Sequence, residues 1–158
     1  MPVQLTYSRT GKKGLPGLVA WDFGPADITS VIAEGTIPFG NAVIKGTATR
    51  SGIVGSTAVL GFAVRSILSV NAINTNTDAF GATEVVAVMR EGYMWVLNEG
   101  TGAIAEGTQV YVNATGKVVN SAASGAVAVP GTRVEQPAAV GEVALIRIQT
   151  SIPAPAAP

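Results

Sequence analysis

The sequence predicts an all-β fold, a sandwich or barrel of about ten short strands. Three observations carry that expectation. From residue 35 onward no apolar stripe repeats every 3.6 residues over a helical length. The apolar runs are short and rich in Val and Ile, which suit a pleated, half-buried surface. Gly, Pro and Asn punctuate the chain between those runs, as turns require.

The elements follow in order. Residues 1–17 read as an extended N-terminal arm, because Pro2, Gly11, Gly14, Pro16 and Gly17 forbid a helix while Val3, Leu5 and Tyr7 alternate with polar neighbours. Such a segment is either a frayed edge strand or an arm lying on another subunit. Residues 18–151 form a single β domain, and residues 152–158, IPAPAAP, an extended Pro/Ala-rich tail. Short signals come first: LVAWDF, then ADITSVIAE, where Ile28, Thr29, Val31 and Ile32 favour strand over a helical turn capped by Asp27. Pro38 and Gly40 precede a strand over 42–48. Residues 59–68 alternate best, with Leu60, Phe62, Val64 and Leu68 facing one way, so a half-buried strand is expected. Residues 71–83, rich in Asn and Thr, read as a long loop. EVVAVM, a turn at Arg90-Glu91-Gly92 and YMWVLN read as a hairpin. TQVYVN and KVVN flank a four-residue turn, Asn113–Gly116, in which Gly116 needs a positive φ. A Ser/Ala/Gly loop over 120–131 leads to the last strands, TRVEQ and EVALIRIQ.

Composition narrows the function. The 158 residues suffice for one domain with a real core, and 47% are hydrophobic, which excludes global disorder. Charged residues are only 13%, about half the usual share, so part of the surface is expected to be covered by partners. Ten basic and ten acidic residues cancel, and the densest positive patch is Arg9, Lys12 and Lys13. That is too short a stripe for a nucleic-acid binder. Without Cys or His the chain lacks thiolate chemistry, the usual zinc ligands and the commonest general base. Its three aspartates, Asp22, Asp27 and Asp78, form no calcium loop. No apolar h-region opens the chain and no apolar run approaches the ~18 residues that span a bilayer, so no membrane is expected and synthesis in a cytoplasm is.

Motifs for catalysis fail on inspection. Gly11-Lys12 has Thr6 where a phosphate loop needs Gly, and Lys13 where it needs Ser or Thr. Gly100-Thr101-Gly102-Ala103-Ile104-Ala105 matches a dinucleotide fingerprint, but Glu106-Gly107 ends any helix it would open. Glu91, Glu99 and Glu106 lie near turns and could form a hydrolase pair if they met in space, although an aromatic content of 6% is poor for a sugar cleft. Residues 92–119 instead suggest surfaces. Tyr93, Trp95 and Leu97 share one face of their strand and Met94 and Val96 the other, so both faces want cover. The second cover is either the chain's own loop or arm, or a second subunit.

Several segments together resemble the structural cement, or decoration, proteins of tailed bacteriophage capsids. They are KKGLPGL, GPADI and IPFGNAV near the start, then the G-x-x-V-Y-V strand before a glycine hairpin, and Pro130-Gly131-Thr132-Arg133-Val134 leading into the last apolar strand. Residues 50–83 carry no recognised match. The resemblance implies a jelly-roll-like fold on the outside of a virion head, bridging neighbouring major capsid subunits of the HK97 type. It also implies a homodimer or homotrimer at local symmetry axes, no catalysis and no cofactor. The candidate partner interface comprises Val3, Leu5, Tyr7, Arg9, Lys12, Lys13, Leu15, Tyr93 and Trp95. The alternatives are another virion β-module, such as a glycan-binding tail or fibre domain, or a small carboxylate-dependent hydrolase.

Overall fold

The computed structural model describes residues 14–75 and 77–150, with the backbone alone at 74 and 75. The arm positions Val3, Leu5, Tyr7, Arg9, Lys12 and Lys13, and the tail 152–158, lie outside the described residues. Among those described, the fold is all-β and jelly-roll-like. In chain order come β1 (Asp27–Ala33), β2 (Ile37–Pro38), β3 (Ala42–Lys45), β4 (Ser51–Val54), β5 (Gly61–Ala63), helix α1 (Val70–Thr75) and β6 (Ala79–Phe80). Then follow β7 (Val85–Leu97), β8 (Gln109–Val112), β9 (Val118–Val119), β10 (Val127–Gln136) and β11 (Val143–Gln149).

Strand β7 organises everything else. The pairings run β1-β4-β3-β5-β7, and β1 also pairs with β7, so these five strands close a ring. On the other side they run β7-β11-β10-β8-β9, and a bridge from Val118 back to Asn98, just past the end of β7, closes a second ring. Closure removes exposed sheet edges, which would otherwise recruit other chains.

The two rings hold separate cores. Val31, Ile37, Phe39, Val43, Phe80, Val86 and Val88 fill the first, with Phe39 and Phe80 meeting edge to face at 5.0 Å. Phe62, Met89, Met94, Val96, Val112, Ile146 and Ile148 belong to the second. On β7, even-numbered Val86 and Val88 face the first core, whereas even-numbered Met94 and Val96 face the second. A bulge accounts for the exchange: Asp27 pairs with Glu91 and Ile28 with Met89, so Arg90 is the extra residue. Gly92 follows at φ 133°, where a Cβ would lie 3.1 Å from Ala26. No side chain fits that approach without displacing the backbone of the preceding segment.

The sequence expectations meet five corrections here. Arg90-Glu91-Gly92 is not a hairpin turn but this bulge inside one 13-residue strand. The strand expected over 59–68 shrinks to three residues buried on both faces, and Ile67 and Leu68 turn outward. Within the expected loop 71–83 lies α1, whose first turn is capped: the Ser69 hydroxyl accepts the Ala72 N–H at 3.2 Å. The 120–131 loop is shorter than expected, because β10 already pairs at Val127. The strand expected over 42–48 ends at Lys45, where Glu34 takes over the chain. Its carboxylate accepts the Ser51 hydroxyl at 2.5 Å, the Ala48 N–H at 2.8 Å and the Thr47 hydroxyl at 3.0 Å, which fixes the β3–β4 turn. The Asn113–Gly116 turn forms as read, with Gly116 at φ 79° and the Asn113 side-chain Oδ1 accepting the Thr115 and Lys117 N–H groups.

Candidate functional site

The second half of β7 lacks a strand on one side, and residues 14–24 lie there as a strap. Gly17 N–H donates to the Trp95 carbonyl at 2.7 Å, Trp95 N–H to Leu18 at 3.0 Å and Ala20 N–H to Tyr93 at 2.9 Å. These satisfy backbone groups that an open edge would leave bare. Gly14 rests on the Trp95 indole, where a Cβ would come within 2.7 Å of Nε1. Gly17 turns the chain at φ 79°. After Ala20 a single 3-10 turn over Trp21–Phe23 sets the Phe23 ring 5.7 Å from that of Tyr93.

Trp95, packed with Ala20 and Leu145, is only 6% exposed. Of the two covers the sequence left open for this face, the described residues supply the chain's own segment. Tyr93 is half-buried beneath the strap, and Leu15 stands out from it, 56% exposed.

Arg65 joins the strap to the neighbouring loop. Its N–H donates to the Gly17 carbonyl at 2.7 Å, one guanidinium nitrogen reaches the Pro16 carbonyl at 3.4 Å, and another pairs with Asp78 at 2.5 Å. The same guanidinium lies over the Phe39 ring, 5.1 Å from its centroid. On either side of this junction along the chain stand large apolar side chains facing solvent. Leu15, Leu18, Trp21 and Phe23 are exposed on the strap, while Ile67 and Leu68, 86% and 80% exposed, follow Arg65. On α1, Val70 and Ile73 continue the exposed row at helical spacing, while Ala72 packs inward.

The start of α1, at one end of this row, is pinned by Glu84. Burial pushes the Glu84 carboxyl up, but the Asn71 and Gly81 N–H groups and the Ser69 hydroxyl overcome that and lower its pKa. The distances are 2.9, 2.6 and 2.8 Å, so one carboxylate ties the start of α1 to the strand that follows β6. Ordering these residues while leaving their apolar groups in water is costly unless something covers them.

Sequence reasoning did not find Ile67, Leu68, Val70, Ile73, Trp21 or Phe23 as surface residues, nor Arg65 as the joint between strap and loop. A signal for two of them was present: adjacent Ile67 and Leu68 between Ser66 and Ser69 cannot both face one core from a strand. Of the three candidate hydrolase carboxylates, Glu91 and Glu99 are not brought together. Glu91 and Glu99 sit eight positions apart along extended chain, roughly 25 Å. Glu99 is paired with Lys117 at 2.7 Å. No cluster of three or more metal-ligating acidic residues occurs among the described residues, and no helix there is long and apolar enough to cross a membrane.

The geometry can be set beside known proteins. A family model described as "Structural cement protein (E217 gp24/Pam3 gp6)" matches residues 3–149, so it runs through 50–83 as well as the segments that carried the resemblance. A chain of the structure described as the capsid of Myoviridae phage XM1 is similar over 96% of this chain and 100% of its own, with a TM-score of 0.67 at 16% identity. The N base of head fiber gp8.5 of bacteriophage phi29 is similar over 80% of this chain and 97% of its own, with a TM-score of 0.51 at 9% identity. Both likenesses are of fold. No curated protein matches the chain.

Proposed function

The chain belongs to the phage structural cement protein family, and from that premise we propose that it binds the outside of an HK97-type head and bridges neighbouring major capsid subunits. As a member of that family it is a non-enzymatic virion protein of the capsid. The observation that supports the finer reading is the solvent-facing large apolar side chains of the strap, Leu15 to Phe23, and of Ile67 to Ile73, two segments joined through Arg65. Monomeric surfaces rarely present so many large apolar groups together, and a capsid subunit is the surface that would remove them from water.

Bridging explains why such a contact stabilises a shell. A head filled with DNA fails where capsomers separate, and a protein touching two of them keeps one contact at high effective concentration when the other opens. Each contact can then be modest, on the order of 1,000 Å². The arm, with Val3, Leu5, Tyr7, Arg9, Lys12 and Lys13, would extend the contact from the strap's end, and Tyr93 and Trp95 anchor the strap that carries it. Self-association as a dimer or trimer at a local symmetry axis would place several rows on one capsomer junction. Synthesis would take place in the host bacterial cytoplasm.

Heads assembled with and without the protein test this reading. Depleted heads should release DNA at lower temperature and break more readily in chelator or low salt. Adding purified protein should restore them. Equal robustness of the two preparations would contradict it.

A further inference from the structure

On a part of the molecule that shares no residue with the exposed row, a cleft of about 690 Å³ lies between the two rings, within the ~300–1,000 Å³ range of ligand sites. Val59, Leu60, Val127 and Val129 give it an apolar lining. Arg50 and Arg90 also line it, and neither guanidinium has a hydrogen-bond or ion-pair partner among the described residues. No described carboxylate lines the cleft to neutralise them.

The cleft also runs along two strand edges that lack a neighbour. The first ring closes from β1 to β4 through two residue pairs only, Ile32 with Ser51 and Ala33 with Gly52. Along β1 the N–H groups alternate in direction. Ala33 donates to the Glu84 carbonyl, toward β7, and Ile32 to the Arg50 carbonyl, toward β4, both at 2.9 Å. Ser30, two residues before Ile32, therefore aims its N–H and C=O to the β4 side, where no described strand meets it. On β10, pairing with β11 begins only at Arg133, and pairing with β8 is interrupted after Ala128. Pro130 sits in that gap, a residue with no N–H to leave unpaired. Residues 29–31 and 127–130 all line the cleft.

An open edge and unpaired guanidiniums call for different parts of one ligand. An extended peptide supplies the N–H and C=O groups that complete a strand edge, and its side chains fall alternately to either face. Aspartate or glutamate on it supplies acceptors for arginine, which offers only donors, and aliphatic side chains suit the Val and Leu lining. The strap shows the same device within the chain, completing the free edge of β7 through its backbone. We infer that the cleft receives an extended, carboxylate-bearing segment of a major capsid subunit. The inference rests on the capsid reading above and gives it a second contact, separate from the exposed row, as bridging requires.

The test titrates the full chain onto heads depleted of it. Binding of the unsubstituted chain tests the capsid reading by itself, and no binding at all would overturn both. Given that binding, Arg50→Glu with Arg90→Glu should raise the concentration for half-occupancy about tenfold or more. Its binding should also depend less on salt, while the melting temperature stays put. Equal occupancy and equal salt dependence for the two chains would overturn the cleft proposal and leave capsid binding standing. A photo-crosslinker attached through Ser56→Cys, in a chain without other cysteines, identifies the occupant. The expected product joins it to a capsid segment bearing Asp or Glu. A crosslink confined to residues 151–158 of the same chain, or to a second copy, would overturn the proposal.

Discussion

The two halves of β7 are one strand with two kinds of neighbour. Over Val85–Glu91 it is flanked by β1 and β5, strands of the body. Over residues 92–97 it is flanked by β11 on one side and by the strap on the other. In the first half the flanking segments bury Val31 and Phe62 in the two cores, although Ile28 and Ile32 of β1 stay partly exposed. In the second, the strap uses its backbone to complete the sheet and leaves Leu15, Leu18, Trp21 and Phe23 outside. A segment that docks mainly through its backbone, with Ala20 and Phe23 as its contacts to Trp95 and Tyr93, is free to devote other side chains to another molecule. The difference separates a body that specifies the fold from a surface available for contact.

Substitutions can break that separation at its joint. Trp95→Ala should cost about 3–5 kcal/mol in chemical denaturation, as expected for a buried aromatic, and should speed amide exchange at Gly17 and Ala20. A loss of oligomer mass with unchanged stability would instead make Trp95 a subunit contact. Gly92→Val should cost about 1–3 kcal/mol from backbone strain, because the bend between the halves has no room for a side chain. If its melting temperature equals that of the unsubstituted chain, the two-neighbour geometry of β7 is wrong.

A smaller effect belongs to the first ring. Hydrogen bonds from the Ser51 hydroxyl and then the Ala48 N–H hold the Glu34 carboxyl at about 2, against an ordinary 4.5. Because the folded pKa is depressed, the stabilisation it gives the β3–β4 turn is fully present above pH 4.5 and is lost as pH falls toward 2. Amide exchange at Ala48 should rise over that window and should already be fast in Glu34→Gln. Exchange at Gly17 on the strap should not follow it. Coupled changes would mean the two halves are one cooperative unit at that joint.

How much of this was legible in the sequence depends on the range of the cause. Turn chemistry is local, so Asn113–Gly116 and the all-β class could be read directly. The apolar doubling of Tyr93-Met94-Trp95-Val96 correctly demanded two covers, because strand periodicity is itself local. What covers a face is not local: the strap and Trp95 are some eighty residues apart in the chain. Bulges were illegible for the same reason. Arg90-Glu91-Gly92 has the composition of a turn, and only its partners β1 and β11 keep it extended. Residues 71–83 hid a helix because Asn and Thr are poor helix formers, and the Ser69 cap and Glu84, from outside that stretch, supply what propensity does not.

The central claim is that the exposed row serves contact and not folding. Its most direct measurement pairs stability with head occupancy for one variant, Ile67→Asp with Leu68→Asp. Both side chains face solvent, so unfolding free energy should stay within about 0.5 kcal/mol of the unsubstituted chain. Occupancy on depleted heads, read by sedimentation and gel densitometry, should fall to background. A variant that keeps its stability and still decorates heads fully would contradict the account.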